Sequence, residues 1–123
     1  MRTNNFLAFV PLLLLAAVVR ASVPAPLDPI KVAPHIFQLD FENEHVRVLR
    51  HTIRNGETPP LYALPERLQV YLQTCAWMED DGAGGRRMQS FKYGEVVWAE
   101  AETGGGITAN VVQECKILEI ELL

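Results

Sequence analysis

Short runs of alternating apolar and polar residues, separated by turn residues, most constrain the fold of this chain. Leu68–Gln73 alternates strictly, which places Leu68, Val70 and Leu72 on one face of a strand. Val46–Ile53 is rich in β-branched residues and precedes the turn signal Asn55-Gly56. Similar runs cover 76–79, 87–91, 96–99, 107–112 and 116–122, with Gly-rich breaks at 80–85 and 104–106. Strands this short, at intervals of about 8–12 residues, predict an all-β sandwich or barrel.

The N-terminal segment has the pattern of a secretory signal peptide. A basic Arg2 precedes an uncharged, mostly aliphatic run over 6–19, and a signal-peptidase pattern ends at Ala21. The apolar run is shorter than the roughly 20 residues that span a bilayer core, and Pro11 disfavours a stable anchor helix. We expect a signal-peptide helix over 1–21, cleavage after Ala21, and export to the periplasm or the extracellular medium. An uncleaved N-terminal anchor is the alternative.

Residues 22–35 form a Pro-rich stretch between the signal and the predicted barrel. Prolines stand at positions 24, 26, 29 and 34. Proline at this frequency disfavours a helix and favours an extended arm. We therefore expect three parts: a signal peptide over 1–21, an extended arm over 22–35, and one β domain over 36–123.

The charge of the mature chain excludes two classes of partner. Removal of 21 residues from 123 leaves 102, and nine basic side chains then stand against 15 acidic ones, a formal net charge of −6. A chain this acidic has no electrostatic means of holding a phosphate backbone. It also has no basic amphipathic helix for an anionic membrane surface. We expect neither nucleic-acid binding nor a stable membrane anchor after cleavage.

The order of motifs along the mature chain resembles that of small single-domain cupins. The resemblance covers nearly all of 28–122, and it rests on the order and separation of the motifs, because each motif alone is weak. The similar segments are 28–37, 41–48, Gly56–Pro60 leading to Pro65, Gly94–Trp98, Asn110-Val111 and 118–122. This resemblance implies a cupin-type double-stranded β-helix, or jelly-roll barrel.

The chain departs from the metal-holding members of that family at their ligand positions. The resemblance implies His-x-His, a carboxylate on the next strand and a later third histidine. Those places here hold Tyr62, Leu64, Gln69 and Gly106, and a shift of the last to Gly104 or Gly105 restores no ligand. Leu and Gly side chains coordinate nothing, and Tyr and Gln are poor ligands for such divalent ions. We therefore expect no metal and no other cofactor.

The histidines and the two glutamates of the last predicted strand are expected to have structural roles. His45 and His51 share strand parity but lie roughly 20 Å apart along a strand, too far to share an ion. We expect His35, His45 and His51 to have surface or packing roles. Glu119 and Glu121 fall on one face of a strand, where Arg47 or Arg50 is expected to pair with them.

The two cysteines, Cys75 and Cys115, both belong to the exported part. An even count in an oxidising compartment favours one disulfide, and two buried thiols are the alternative. The cupin resemblance implies that the strand near Tyr62 pairs with the strand over 107–112. That pairing brings the corners near both cysteines to the same end of the barrel.

The barrel mouth is the expected place of function. Five aromatic or polar residues fall on strands that line or border it, and such walls suit a small organic ligand. They are Tyr62, Gln69, Tyr71, Trp98 and Glu100.

Three functions stay open from the sequence. The first is a metal-free module that binds a small organic ligand or serves an interaction role. The second is a metal-independent, isomerase-like enzyme with Tyr62 or Glu100 as its base. The third is a structural subunit that forms a homodimer through an apolar outer sheet face around Val46 and Val48.

Overall fold

The computed structural model of the protein describes residues 27–80 and 82–123. The predicted signal peptide and the first five residues of the predicted arm lie outside this part. Within the described residues, one short helix is followed by nine strands: α1 Pro29–Val32, β1 Phe37–Glu42, β2 Val46–Ile53, β3 Tyr62–Leu64, β4 Arg67–Tyr71, β5 Cys75–Asp80, β6 Arg86–Phe91, β7 Val96–Ala99, β8 Glu102–Gly104 and β9 Cys115–Leu122.

The strands form one large sheet and two small ribbons. The large sheet is antiparallel and has the order β1-β2-β9-β4-β7. β3 pairs with β8, and β5 pairs with β6, each as a separate antiparallel ribbon. The predicted all-β class is confirmed. In the part of the chain described here, no helix is long and apolar enough to cross a membrane.

The prediction of an extended arm is wrong over 29–32, where the chain forms one helical turn. Asp28 is the N-cap residue, and its Oδ1 accepts a hydrogen bond from the Ile30 amide at 3.4 Å. Pro29 tolerates the first helical position because the amide hydrogen that it lacks has no helical partner there. Arg47 of β2 donates from Nη1 to Asp28 Oδ1 at 3.1 Å, so the turn is attached to the sheet.

The prediction of a strand over 107–112 is also wrong. Only Val111 in this segment makes a β-bridge, to Trp77. Tyr62 pairs instead with Gly104 of β8, a strand that the sequence pattern does not reveal. The chain turns immediately after β8, because Gly105 and Gly106 adopt positive φ angles of 88° and 72°.

The inner face of the large sheet carries buried charges as well as apolar residues. Glu119 and Glu121 of β9 and Arg67 of β4 are buried there. The predicted ion pair between Arg47 and Glu121 is confirmed: Arg47 Nε donates to Glu121 Oε2 at 2.6 Å. Arg50 pairs instead with Asp40 on the exposed side.

The outer face of the same sheet carries a row of apolar residues besides the Arg50–Asp40 ion pair. One residue from each of the five strands lies in a continuous register, and we call this set the apolar row: Phe41, Val48, Ile120, Leu68 and Trp98. Phe41 and Trp98 at its two ends remain 53% and 47% exposed. The alternation in β4 and β9 therefore directs many apolar side chains outward.

Two apolar clusters fill the space between the sheet and the ribbons. One cluster joins the helical turn to the sheet: Ala33, Ile36, Phe37, Leu49, Tyr62 and Leu64. The other contains Tyr71, Cys75, Cys115 and Ile117, with Trp77 and Phe91 packed against it. Cys75 and Cys115 are joined by a disulfide, with their Cα atoms 5.4 Å apart.

We expect the exported protein to have the mass of a chain that begins at Ser22 and contains the Cys75–Cys115 bridge. Intact-mass measurement before and after reduction tests both features, since reduction adds two hydrogens to a bridged protein. A mass that retains residues 1–21, or one that does not change on reduction, contradicts the corresponding expectation.

Candidate functional site

A cavity of about 630 Å³ opens between the end of β2, the β5–β6 ribbon and the segment after β8. Its wall combines aromatic and aliphatic side chains with nearly as many polar ones, including the charged Arg54, Glu57, Glu79 and Arg86. The residues that line it are Ile36, His51, Thr52, Ile53, Arg54, Glu57, Pro59, Tyr62, Trp77, Met78, Glu79, Arg86, Thr103, Gly104, Gly105, Ile107, Thr108, Ala109, Asn110 and Val111.

His51 connects the cavity to the charged interior of the barrel. Its Nδ1 lies 2.9 Å from Glu119 Oε1. An ionised carboxylate only accepts hydrogen bonds, so Nδ1 carries the proton and Nε2 is the ring nitrogen left for a ligand. The imidazole stacks on Phe37 at a centroid distance of 4.2 Å, which fixes the plane of the ring. The expected packing role of His51 is therefore only part of its role, because it also lines the cavity.

Glu119 is held by three donors at the centre of the barrel. It is fully buried, and its Oε1 accepts hydrogen bonds from His51 and from Gln69 Nε2, the latter at 3.2 Å. Its Oε2 accepts from Arg67 Nε at 2.7 Å. Burial by itself raises the pKa of Glu119, but the hydrogen bond and charge of His51 and the charge of Arg67 outweigh it, so the pKa lies below its usual value.

Arg67 supplies the balancing positive charge, with only 1% of its surface exposed. Besides its bond to Glu119, it donates from Nη2 to Glu102 Oε1 at 2.5 Å and from Nη1 to the carbonyl oxygens of Pro65 and Glu100. Burial disfavours the charged guanidinium, but Glu119 and Glu102 together raise the pKa of Arg67. The described residues contain no buried side-chain nitrogen or oxygen without a hydrogen-bond partner, so this network is satisfied.

Tyr62 lies beside His51 in the cavity wall, with the ring centroids 6.2 Å apart. Burial, with smaller contributions from the Glu102 and Glu119 charges, raises the pKa of Tyr62 to about 12, so the phenol is protonated at neutral pH. Gly104 packs directly against this ring, and a Cβ there would lie 2.6 Å from Tyr62 Cζ. A Cβ on Gly105 would lie 2.0 Å from the Pro60 carbonyl oxygen. Gly104 and Gly105 are therefore needed for close packing.

Only Tyr62 of the five predicted mouth residues lines the cavity. Gln69 lies deeper and donates to Glu119. Tyr71 is buried in the second apolar cluster and stacks on Phe91 at 4.3 Å. Trp98 pairs with Leu68 and belongs to the apolar row of the outer face. Glu100 is exposed after β7 and contributes its carbonyl oxygen to Arg67.

The residues at the family's metal-ligand positions do not fit a metal ion. Tyr62 and Leu64 are buried in the first apolar cluster, and Gln69 is bonded to Glu119. Gly106, like the neighbouring Gly104 and Gly105, has no donor atom in its side chain. Among residues 27–80 and 82–123, no group of three or more His, Cys, Asp or Glu side chains is arranged to hold a metal.

Comparison with known proteins identifies the fold. No protein-family model and no curated protein matches the chain. A cupin domain from Bordetella pertussis Tohama I is similar in structure, with 17% identity and a TM-score of 0.51, over 87% of this chain and 99% of that one. A proposed mannose-6-phosphate isomerase from Ralstonia eutropha JMP134 has 16% identity and a TM-score of 0.45, over 71% of this chain and 82% of its own. The second likeness is too distant to carry an argument. The first shows that this chain has a cupin fold, as its motifs imply.

We expect Arg67→Ala to destabilise the protein by about 3–5 kcal/mol, because it leaves Glu119 buried without its guanidinium partner. The free energy of unfolding from urea denaturation measures this loss. Arg50→Ala is the matched control, since its partner Asp40 lies near the surface, and it should change stability little. Equal losses in the two variants contradict a special role for the buried pair.

Stability should fall in acid through Glu119. A carboxyl whose folded pKa lies below its unfolded value of 4.5 contributes stability that is fully present above that value and is lost as the pH falls through the folded pKa. The difference in unfolding free energy between the wild type and Glu119→Gln should therefore narrow between pH 6 and pH 3. A constant difference over this range contradicts the ionised state of Glu119.

Proposed function

We propose that this barrel binds a small organic ligand in the cavity beside His51 and Tyr62, without a metal ion. The cavity volume of about 630 Å³ lies within the range of about 300–1,000 Å³ that small-molecule sites occupy. The residues at the family's ligand positions do not fit a metal, so the chain's own polar groups must provide recognition.

The observation that carries this proposal is the fixed orientation of His51. Phe37 stacks on its ring and Glu119 engages Nδ1, so rotation of the imidazole would break a buried hydrogen bond. His51 and Tyr62 then offer two polar side chains in one wall of a cavity that the charged side chains of Arg54, Glu57, Glu79 and Arg86 also line. Groups held in place before binding give affinity at a lower entropic cost.

A second candidate function, metal-independent proton transfer of the isomerase type, is favoured by the same pair. A buried carboxylate at Nδ1 leaves Nε2 as the ring nitrogen that exchanges a proton with a substrate, and it stabilises the imidazolium. Tyr62 retains its proton at neutral pH and is the donor on the same wall. His51 thus replaces Glu100 as the candidate base, since Glu100 lies on the surface after β7 and does not line the cavity.

We also propose that the apolar row pairs with a second copy of this chain. Five apolar residues in register across five strands form a flat surface, and its ends are about half exposed. A continuous apolar surface of this kind is typical of an interaction site. The row avoids the cavity, so ligand binding and pairing are compatible.

The proposed export fits these features. A disulfide between buried cysteines persists in an oxidising compartment, and a signal peptide over 1–21 delivers the chain there. The mature protein is then an exported cupin-fold module with a ligand cavity.

A thermal-shift screen with sugars, organic acids and phenolics tests ligand binding. A compound at 100 times its Kd should add about 2.7 kcal/mol of stability by mass action. The gain should survive treatment with EDTA and should fall in His51→Gln and Tyr62→Phe. Trp98→Ala, on the outer face, is the control and should keep it. A gain that EDTA abolishes, or one that His51→Gln leaves intact, contradicts the proposed site.

Light scattering after size-exclusion chromatography tests pairing. We expect a dimer for the wild type and a monomer for Phe41→Asp/Trp98→Asp, because two charges at the ends of the apolar row would be buried without partners. Tyr93→Asp, an exposed aromatic outside the row, should leave the dimer intact. A monomeric wild type at all accessible concentrations excludes the proposal.

A further inference from the structure

The ribbon formed by β5 and β6 makes one wall of the cavity. Trp77, Met78 and Glu79 of β5 and Arg86 of β6 line it. The two strands pair with each other over 75–80 and 86–91 and belong to no other sheet. The position of this wall relative to the barrel therefore depends on its few attachments to the rest of the protein.

These attachments lie at the disulfide end of the ribbon and along the middle of β5. Phe91 stacks on Tyr71 with a centroid distance of 4.3 Å and an interplanar angle of 5°. Trp77 bridges to Val111, and the Met78 amide donates to the Asn110 carbonyl oxygen over a long 3.4 Å. The covalent attachment is the disulfide, which leaves from the first residue of β5.

A second wall of the cavity, next to the ribbon, ends at the same disulfide. Residues 107–111 line the cavity and form no strand, and the chain then reaches Cys115 within four residues. Cys115 is also the first residue of β9, whose eight residue pairs with β2 anchor it to the large sheet. A single covalent bond thus joins both walls of the cavity to a fixed point in the sheet.

We propose that the Cys75–Cys115 disulfide is a redox-sensitive tether of the cavity walls, so that its reduction opens the ligand site while the large sheet stays folded. This inference rests on the proposed function only in taking the cavity as the ligand site. A dithiol supplies the reaction: one thiolate attacks a cystine sulfur, the S–S bond breaks, and a mixed disulfide forms. The second thiol then resolves it, which leaves two cysteine thiols in the protein and a cyclic disulfide in the reductant.

The large sheet is stabilised by interactions that do not involve the disulfide. β2 and β9 pair over their full lengths, and β4 pairs with β9 over five residue pairs. The ion pairs from Glu119 and Glu121 to Arg67 and Arg47 cross the same three strands. Loss of the disulfide removes none of these interactions, so local opening of the walls requires less free energy than opening of the sheet.

Hydrogen exchange on the full chain, oxidised or reduced with dithiothreitol, tests the tether without any ligand. We expect amides over 76–79, 86–91 and 107–112 to exchange about tenfold faster or more after reduction. Amides over 46–53 and 116–122 should keep their rates. Equal acceleration in all segments, complete unfolding on reduction, or no change in the walls each overturns the proposal.

A second measurement starts from the oxidised protein and follows the rate at which the disulfide is reduced. Phe91→Ala removes the aromatic attachment of the ribbon, so dithiothreitol should reduce the buried disulfide several-fold faster than in the wild type. Phe41→Ala, the matched Phe-to-Ala change in the apolar row, should not alter that rate. Equal reduction rates in the two variants refute the tether. Equal rates would not decide whether the cavity binds a ligand, because the thermal-shift screen tests ligand binding separately.

Discussion

The buried ion pair between Arg67 and Glu119 is the interaction on which the rest of the site depends. Transfer of two charges into a protein interior costs several kcal/mol per ion, and only good geometry with further hydrogen bonds offsets that cost. Here the donors and acceptors around both groups are satisfied by Gln69, Glu102, two carbonyl oxygens and His51. The pair therefore fixes β4 and β9 to each other and sets the orientation of the imidazole at the edge of the cavity.

This arrangement also gives the barrel a charged interior that the chain's own side chains balance. The positive charge near the carboxylates belongs to Arg67, a covalent part of the chain. A guanidinium has directional donors and cannot accept a ligand's electron pair, so recognition is left to His51, Tyr62 and the walls of the cavity. The polar inner face also explains the apolar outer face, since side chains alternate along every strand.

Most strands were predictable from the sequence, but their orientation was not. Alternation in Leu68–Gln73 correctly indicates a strand. Its apolar side chains face outward, however, and Arg67, Gln69 and Tyr71 face inward. A period of two residues defines two faces and does not say which one is buried. Trp98 was placed at the cavity for this reason. The sequence did not reveal the role of His51 in the cavity wall, because its partner Glu119 lies 68 residues away in sequence. One local signal was available, since two glutamates alternate with leucines and an isoleucine in β9.

The local errors have equally specific causes. The frequent prolines led to the prediction of an extended arm over 29–32. The Asp28 cap and the position of Pro29 in fact favour a helical turn there. The apolar composition of 107–112 resembles that of a strand. The positive φ angles of Gly105 and Gly106, however, turn the chain before residue 107. The interpretation of the cupin motifs was correct for the fold, because that inference used order and spacing over nearly the whole domain. Side-chain roles within the cavity required three-dimensional contacts.

The central claim is that Glu119 fixes His51 at the cavity through the Nδ1 proton, and long-range ¹H–¹⁵N NMR correlation of the imidazole rings tests it most directly. We predict one histidine whose protonated, hydrogen-bonded Nδ1 gives a signal distinct from that of an exposed histidine, and this difference should disappear in Glu119→Gln. Three histidines with the averaged signals of solvent-exposed imidazoles, or a His51 protonated only at Nε2, would contradict the account.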